Sequence, residues 1–252
     1  GDGVGQSDVK MFAWLHQADE MGKISSDSMT KLGICYLNGT GVKKDIQKAA
    51  SCFEDAATMY TGRNAEALYY LSYLYEHGYD QFISYEFIPY LESAELGYEK
   101  AVEKVLEMMD SGTGDVMGIN KERAIWGLKM AAKNGNAHAQ RVVGEWYQNG
   151  TLLDKDEQKA LELYQRAAEQ GDVQAMFLLG ECYENGLDDV EPDEALAMRW
   201  YRKAAEAGDA RAMYRLGVFS ETGNIDSPPM ENVAIQWYQK AADLGDADAQ
   251  YA

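Results

Sequence analysis

The side chains able to do chemistry are few and far apart. Three cysteines (Cys35, Cys52, Cys182) and three histidines (His16, His77, His138) stand among 42 acidic residues. A structural zinc site needs about four such ligands, usually in closely spaced pairs. No CxxC occurs here, and the histidines sit in separate parts of the chain. The HExxH of zinc peptidases, the GxSxG of serine hydrolases and the G-x4-GK[ST] phosphate loop are absent too. Gly112-Thr-Gly114-Asp115 has the small residues of a phosphate loop but no lysine after them. The carboxylates could supply an acid–base pair, as in any acidic protein, so a hydrolase stays as a remote alternative. The reading is a chain with no catalytic residue, no bound metal and no cofactor.

Charge narrows the partners. The net charge is −19 and the sequence pI about 4.5. Such a surface repels nucleic-acid phosphates and anionic lipid, and attracts a basic partner. No apolar run approaches the roughly 18 residues of a membrane span, so membrane insertion is not expected. The first residues, GDGVGQSDVK, lack the basic end and apolar stretch of a signal peptide. Cys35 and Cys182 each precede a tyrosine and read as small core residues. Sparse, odd cysteines point to a reducing compartment. The cytoplasm is therefore favoured, with the periplasm or secretion open if a signal has been removed.

What must position these residues is a repeat. Closing positions fall at Gly22, Tyr60, Gly97, Gly135, Gly171, Gly208 and Gly245, in steps of 38, 37, 38, 36, 37 and 37 residues. A glycine that ends a helix can take the left-handed conformation. The next residue, Asn136, Asp172, Asp209 or Asp246, suits the start of another helix. A second helix in each unit starts near Asp45, Asn120, Asp156 or Asp193. First helices carry Leu32/Tyr36, Leu71/Tyr75, Val143/Tyr147, Leu179/Tyr183 and Leu216 at helical spacing. Small residues follow most of them: Gly33, Ser72, Gly144, Gly180 and Gly217. Second helices carry Trp14, Phe53, Tyr90, Tyr164, Trp200/Tyr201 and Trp237/Tyr238, then small pairs such as Ala167-Ala168 and Ala204-Ala205. Large side chains of one helix are expected to cover small ones of the next. One pair cannot bury such a face alone, so neighbours must stack.

These residues resemble the Sel-like repeat (SLR) family, a relative of the tetratricopeptide repeat. The family pattern is roughly A-x3-L-G-x2-Y-x2-G-x-G-V-x2-D-x2-K-A-x2-W-Y-x-K-A-A-x2-G. The match is specific at Ser28–Ala57 and Ala139–Ala242, and looser at Ala67–Gly97 and Ala101–Gly135. The resemblance implies an all-α, right-handed α-solenoid of antiparallel helix pairs acting as a protein-interaction scaffold. Six full repeats are expected: Lys23–Tyr60, Thr61–Gly97, Tyr98–Gly135, Asn136–Gly171, Asp172–Gly208 and Asp209–Gly245. A half repeat precedes them and Asp246–Ala252 forms a stub behind. Residues 1–252 thus read as a single domain, a fragment of a longer array or one capped by another chain. The unfinished ends are further contact points. Irregular places are expected at Met59–Asn64, at Pro89 and at Asp226-Ser-Pro-Pro-Met230.

In tetratricopeptide-like stacks the first helices line the concave surface. By that analogy the exposed positions lie two and five residues either side of the core residues Leu32, Leu71, Val105, Val143, Leu179 and Leu216. Ten of those positions are acidic (Asp27, Glu66, Glu76, Glu103, Glu107, Asp110, Glu145, Glu181, Glu184, Glu221) and three basic (Lys100, Arg141, Arg211). Thr30, Ile34 and Leu37 belong to the same set. Four are aromatic: Tyr69, Tyr73, Phe177 and Tyr214. Exposed aromatics amid charge are favoured interface anchors. The expected partner is a protein or peptide, basic or mixed in charge, held by those aromatics and by Glu66, Glu76, Glu103, Glu107, Asp110, Glu145, Glu181 and Glu184. An immunity protein that neutralises a secreted bacterial toxin is the alternative, because some family members do this.

Overall fold

A computed structural model describes residues 6–58, 63–79, 90–111, 121–187, 190–223 and 229–252. Among them the chain is all-α, of the α-solenoid class, with thirteen helices. They fall in two compact units, Gly1–Asn134 and Gly135–Ala252. The first holds α1 (Gln6–Glu20), then α2 (Ser26–Asn38) with α3 (Ile46–Thr58), α4 (Ala65–Glu76) with α5 (Tyr90–Glu95), and α6 (Glu99–Ser111) with α7 (Lys121–Lys133). The second holds α8 (Ala137–Asn149) with α9 (Glu157–Glu169), α10 (Val173–Asn185) with α11 (Glu194–Glu206), and α12 (Ala210–Thr222) with α13 (Glu231–Asp243).

The boundaries have local causes. Gly171 and Gly208 have φ of 96° and 97° and end α9 and α11. A side chain would be strained at such angles. The Asp172 N–H then donates to Ala167 O, while its carboxylate accepts from Ala175 N. One residue so closes a helix and opens the next. Asp209 repeats this between Ala204 O and Ala212 N. Asn64, Asn136, Asp45, Asp156, Asp193 and Asp246 cap in the same way.

Within a pair, large and small residues meet as the spacing predicts. Phe53, Tyr90, Tyr164 and Tyr201 are fully buried. A Cβ on Gly33 would stand 2.6 Å from the Phe53 ring, and one on Gly144 2.7 Å from the Tyr164 ring. Gly180 and Gly217 face Tyr201 and Tyr238 likewise. The helices approach so closely that no side chain fits between ring and backbone.

Three expectations need correction. The core member of each Trp-Tyr pair is the tyrosine. Trp200 and Trp237 are half-buried and carry lysine ammoniums, Lys203 at 3.9 Å and Lys240 at 4.4 Å from the ring centroids. Trp14 is not packed at all, at 72% exposed; α1 meets the core through Phe12 and Leu15, on its other face. Thirdly, α6 and α7 meet only narrowly, and α7 leans more on α5. The cause lies in the sequence: Leu106 stands where other first helices have a small residue, and Leu128 where other second helices have the ring. Leu91 of α5 fills the space beside Gly127. Gly1–Val4, Tyr60, Pro89, Gly112–Asp115, Asn120 and Asp226–Pro228 lie outside the described residues.

Candidate functional site

In the first unit the expected residues gather between α4 and α6. Tyr69 and Tyr73 are half-buried. The Tyr69 ring lies 5.4 Å from Tyr70, 5.5 Å from Tyr90 and 5.3 Å from Tyr98. Tyr73 stacks on His77 at 4.0 Å. Tyr90 Oη donates to Glu76 Oε2 at 2.8 Å, and Lys104 Nζ meets Glu76 Oε1 at 2.8 Å and Glu107 Oε2 at 3.4 Å. Burial works against ionising Glu76, but the Lys104 and Tyr90 bonds outweigh it and hold the carboxyl below its usual range. With Lys100 and Glu103 these side chains line an open cleft. Glu103, Glu107 and Asp110 are exposed on α6. Glu66 stands aside from the cleft and accepts from Tyr98 Oη at 3.2 Å.

The second unit treats the same positions differently. Arg141 pairs with Glu145 at 2.7 Å and with Asp172 at 3.4 Å. Tyr201 Oη donates to Glu184 Oε2 at 2.6 Å, and the Arg215 guanidinium forks onto the same carboxylate, its Nε at 3.2 Å. Phe177 is a core residue, only 6% exposed, which corrects its reading as an exposed anchor. Tyr201 packs on it at 5.5 Å, and the Arg211 guanidinium lies 4.2 Å from its ring centroid. Tyr214 is half-buried beside Tyr238 at 5.6 Å. Burial raises the Glu181 carboxyl above its usual range, although Arg211 and Arg215 oppose this.

The spacing argument missed a pairing. The position five residues after the core leucine does not simply face solvent: it accepts the hydroxyl of the buried tyrosine. Glu76 serves Tyr90, Gln148 serves Tyr164 at 2.7 Å, Glu184 serves Tyr201 and Glu221 serves Tyr238 at 2.7 Å. A buried hydroxyl needs such a partner. Where the ring is Phe53, which has no hydroxyl, the position holds Leu37, and Leu37 is buried. That matched change, visible in the residues, was the available signal. Thr30 also proves fully buried, its hydroxyl donating to Ser26 O at 3.0 Å.

For chemistry the described residues offer little. All three cysteines are buried and free. Burial pushes the Cys52 and Cys182 thiols up to about 12, so the reactive thiolate is scarce at neutral pH. Among the described residues no group of three or more His, Cys, Asp or Glu could hold a metal ion, and no helix is long and apolar enough to cross a membrane.

Comparison with known proteins places this geometry. The chitin synthase regulatory factor 3 of Schizosaccharomyces pombe is 29% identical over 170 residues, 64% of this chain and 18% of that protein. The structure of c5321, a protective antigen of uropathogenic Escherichia coli with an SLR fold, superposes with a TM-score of 0.73 at 26% identity, over 96% of this chain and 50% of that one. A Sel1 repeat protein from Oxalobacter formigenes gives 0.61 at 27% identity, over 93% and 99%. The chain thus spans half the length of the first structure and under a fifth of the yeast relative. Proteins of the Sel1 repeat act in protein–protein interaction and are generally non-catalytic scaffolds. The sequence model of that repeat matches residues 26–59, 65–84, 137–172, 173–209 and 210–246, leaving out the narrow α6–α7 pair. With well over half of its residues inside these segments, the chain belongs to the Sel1 repeat family.

Proposed function

We propose that this chain is a non-catalytic adaptor that binds a basic or mixed-charge protein segment on the first-helix face of its first unit. The observation that carries the reading is the open cleft between α4 and α6, walled by Tyr69 and Tyr73 and edged by Glu103 and Glu107. Half-buried tyrosines offer contact area at low entropic cost, and exposed carboxylates steer encounter. Glu66 and Asp110 extend the acidic edge in the same unit. In the second unit Glu145, Glu181, Glu184 and Tyr214 remain candidate contacts, while Phe177 lies in the core beneath Arg211 and is not one of them.

The test uses two variants on the partner recovered by affinity purification of the whole chain. Glu103→Lys/Glu107→Lys is expected to slow association and weaken its salt dependence. Tyr73→Ala is expected to speed dissociation, by about 2 kcal/mol if the ring is a hot spot. Both must keep the parent's melting curve. Parent-like kinetics in both would remove the α4–α6 face as the site.

A further inference from the structure

We infer that the α4–α6 cleft is a seat for an arginine side chain of the partner. The inference rests on the reading of this face as the partner site and specifies its chemistry. Tyrosine rings form one wall and the Glu103 and Glu107 carboxylates, one helical turn apart on α6, form the other. A planar cation that stacks on a ring and forks onto a carboxylate fits between such walls better than a compact ammonium does. The charges in the cleft favour a cation: Glu76, Glu103 and Glu107 stand against Lys100 and Lys104, and Lys104 is already paired with Glu76 and Glu107.

The chain contains its own precedent. In the second unit the Arg211 guanidinium lies over Phe177, with its Nη2 2.8 Å from Asp209 Oδ2 and with Glu181 adding to its stabilisation. Phe177 and Tyr69 both stand two residues before a core leucine, and Arg211 and Lys100 both stand five before a core residue. At the first-unit position the chain offers an exposed lysine, which is strongly hydrated, and Tyr98 replaces the Asp209 that holds Arg211. The guanidinium that the second unit supplies from within must here come from outside.

The experiment titrates the whole chain, with its tyrosines isotopically labelled, against three capped tripeptides: acetyl-Gly-Arg-Gly-amide, the same with neutral citrulline, and the same with glutamate. Arginine is expected to shift the Tyr69 and Tyr73 signals, and citrulline to bind about five-fold more weakly, the worth of one exposed charge pair. Glu103→Gln/Glu107→Gln should weaken arginine by a similar factor and leave citrulline unchanged. Equal response to arginine and citrulline, or preference for glutamate through Lys100 and Lys104, would overturn the inference. If the recovered partner depends on Tyr73 while arginine leaves the cleft silent, the arginine seat fails and the partner face stands. If arginine binds there and the partner ignores the cleft, the seat stands and the partner reading fails.

Discussion

The α4–α6 face of the first unit and the α10–α12 face of the second use the same repeat positions to opposite effect. In the second unit Arg211 covers Phe177 and Arg215 closes on Glu184, so the face is filled by the chain's own cations. In the first unit Lys104 pairs with Glu76 but Tyr69, Tyr73, Glu103 and Glu107 still line an open cleft. The buried tyrosine–carboxylate bond is common to both faces. What the repeat conserves, then, is the bond that the core requires. What it varies is whether the layer above that bond is occupied from within.

The core side of this comparison can be broken most forcefully. Tyr201→Ala removes a fully buried ring and should cost about 3–5 kcal/mol in chemical denaturation, with the loss concentrated in neighbouring repeats. Trp200→Ala, half-buried beside it, should cost clearly less. Equal losses would mean that the wrong ring has been placed in the core.

A smaller effect tests the tyrosine–carboxylate pairing itself. Phe53→Tyr would bury a hydroxyl near Leu37 with no acceptor, costing about 1–3 kcal/mol. Adding Leu37→Gln should recover part of that loss, since it rebuilds the Gln148–Tyr164 pair in the first unit. Strict additivity of the two changes would show that the pairing carries no energy.

Weaker still is the layer above. Arg211→Ala should lower stability by only about 0.5–1 kcal/mol, the worth of an exposed cation over a ring. It should also make the second unit answer arginine peptide at Phe177, as the first unit does at Tyr69. A second unit that stays silent after this change would break the proposed equivalence.

The subtlest contrast is in pH. Burial raises the folded Glu181 carboxyl, so its contribution to stability is full below the ordinary glutamate range and is lost as pH rises through the folded value. Glu181→Gln should therefore melt above the parent at pH 7, and the gap should close on acidification. Glu76 has the opposite sign: its folded value is lowered, so its contribution is present above the ordinary range and lost as pH falls. Glu76→Gln should melt below the parent at pH 7 and converge on it in acid. Melting temperatures between pH 4 and 8 separate the two.

The sequence made the helices legible because closing glycines and capping acids are local signals, and each acts within about one turn. Gly171-Asp172 and Gly208-Asp209 end and start helices as read. Faces were harder. An acid such as Glu184 satisfies a solvated helix and a buried hydroxyl equally well, and only the position of Tyr201 across the pair decides between them. Phe177 looked exposed because its cover, Arg211, comes from the next repeat. The large residue at Leu106 and the leucine in place of a ring at Leu128 are readable, but their consequence depends on how Leu91 fills the space beside Gly127.

The acid–cation contacts Glu76–Lys104 and Glu184–Arg215 run from one repeat to the next, whereas the tyrosine bonds stay inside a repeat. This offset bears on how such a gene lengthens by tandem duplication. Copying Asp209–Gly245 after itself sets a new Arg215 against Glu221, and the junction acquires an attraction that the parent lacked. Copying Asn136–Gly171 sets Val142 against Gln148 and Arg141 against a new Asn136, and leaves the junction without an ion pair at either place. Segments of the same repeat family are thus unequal as hereditary modules. Those that carry the acid and the cation together bring their own adhesive to the new seam.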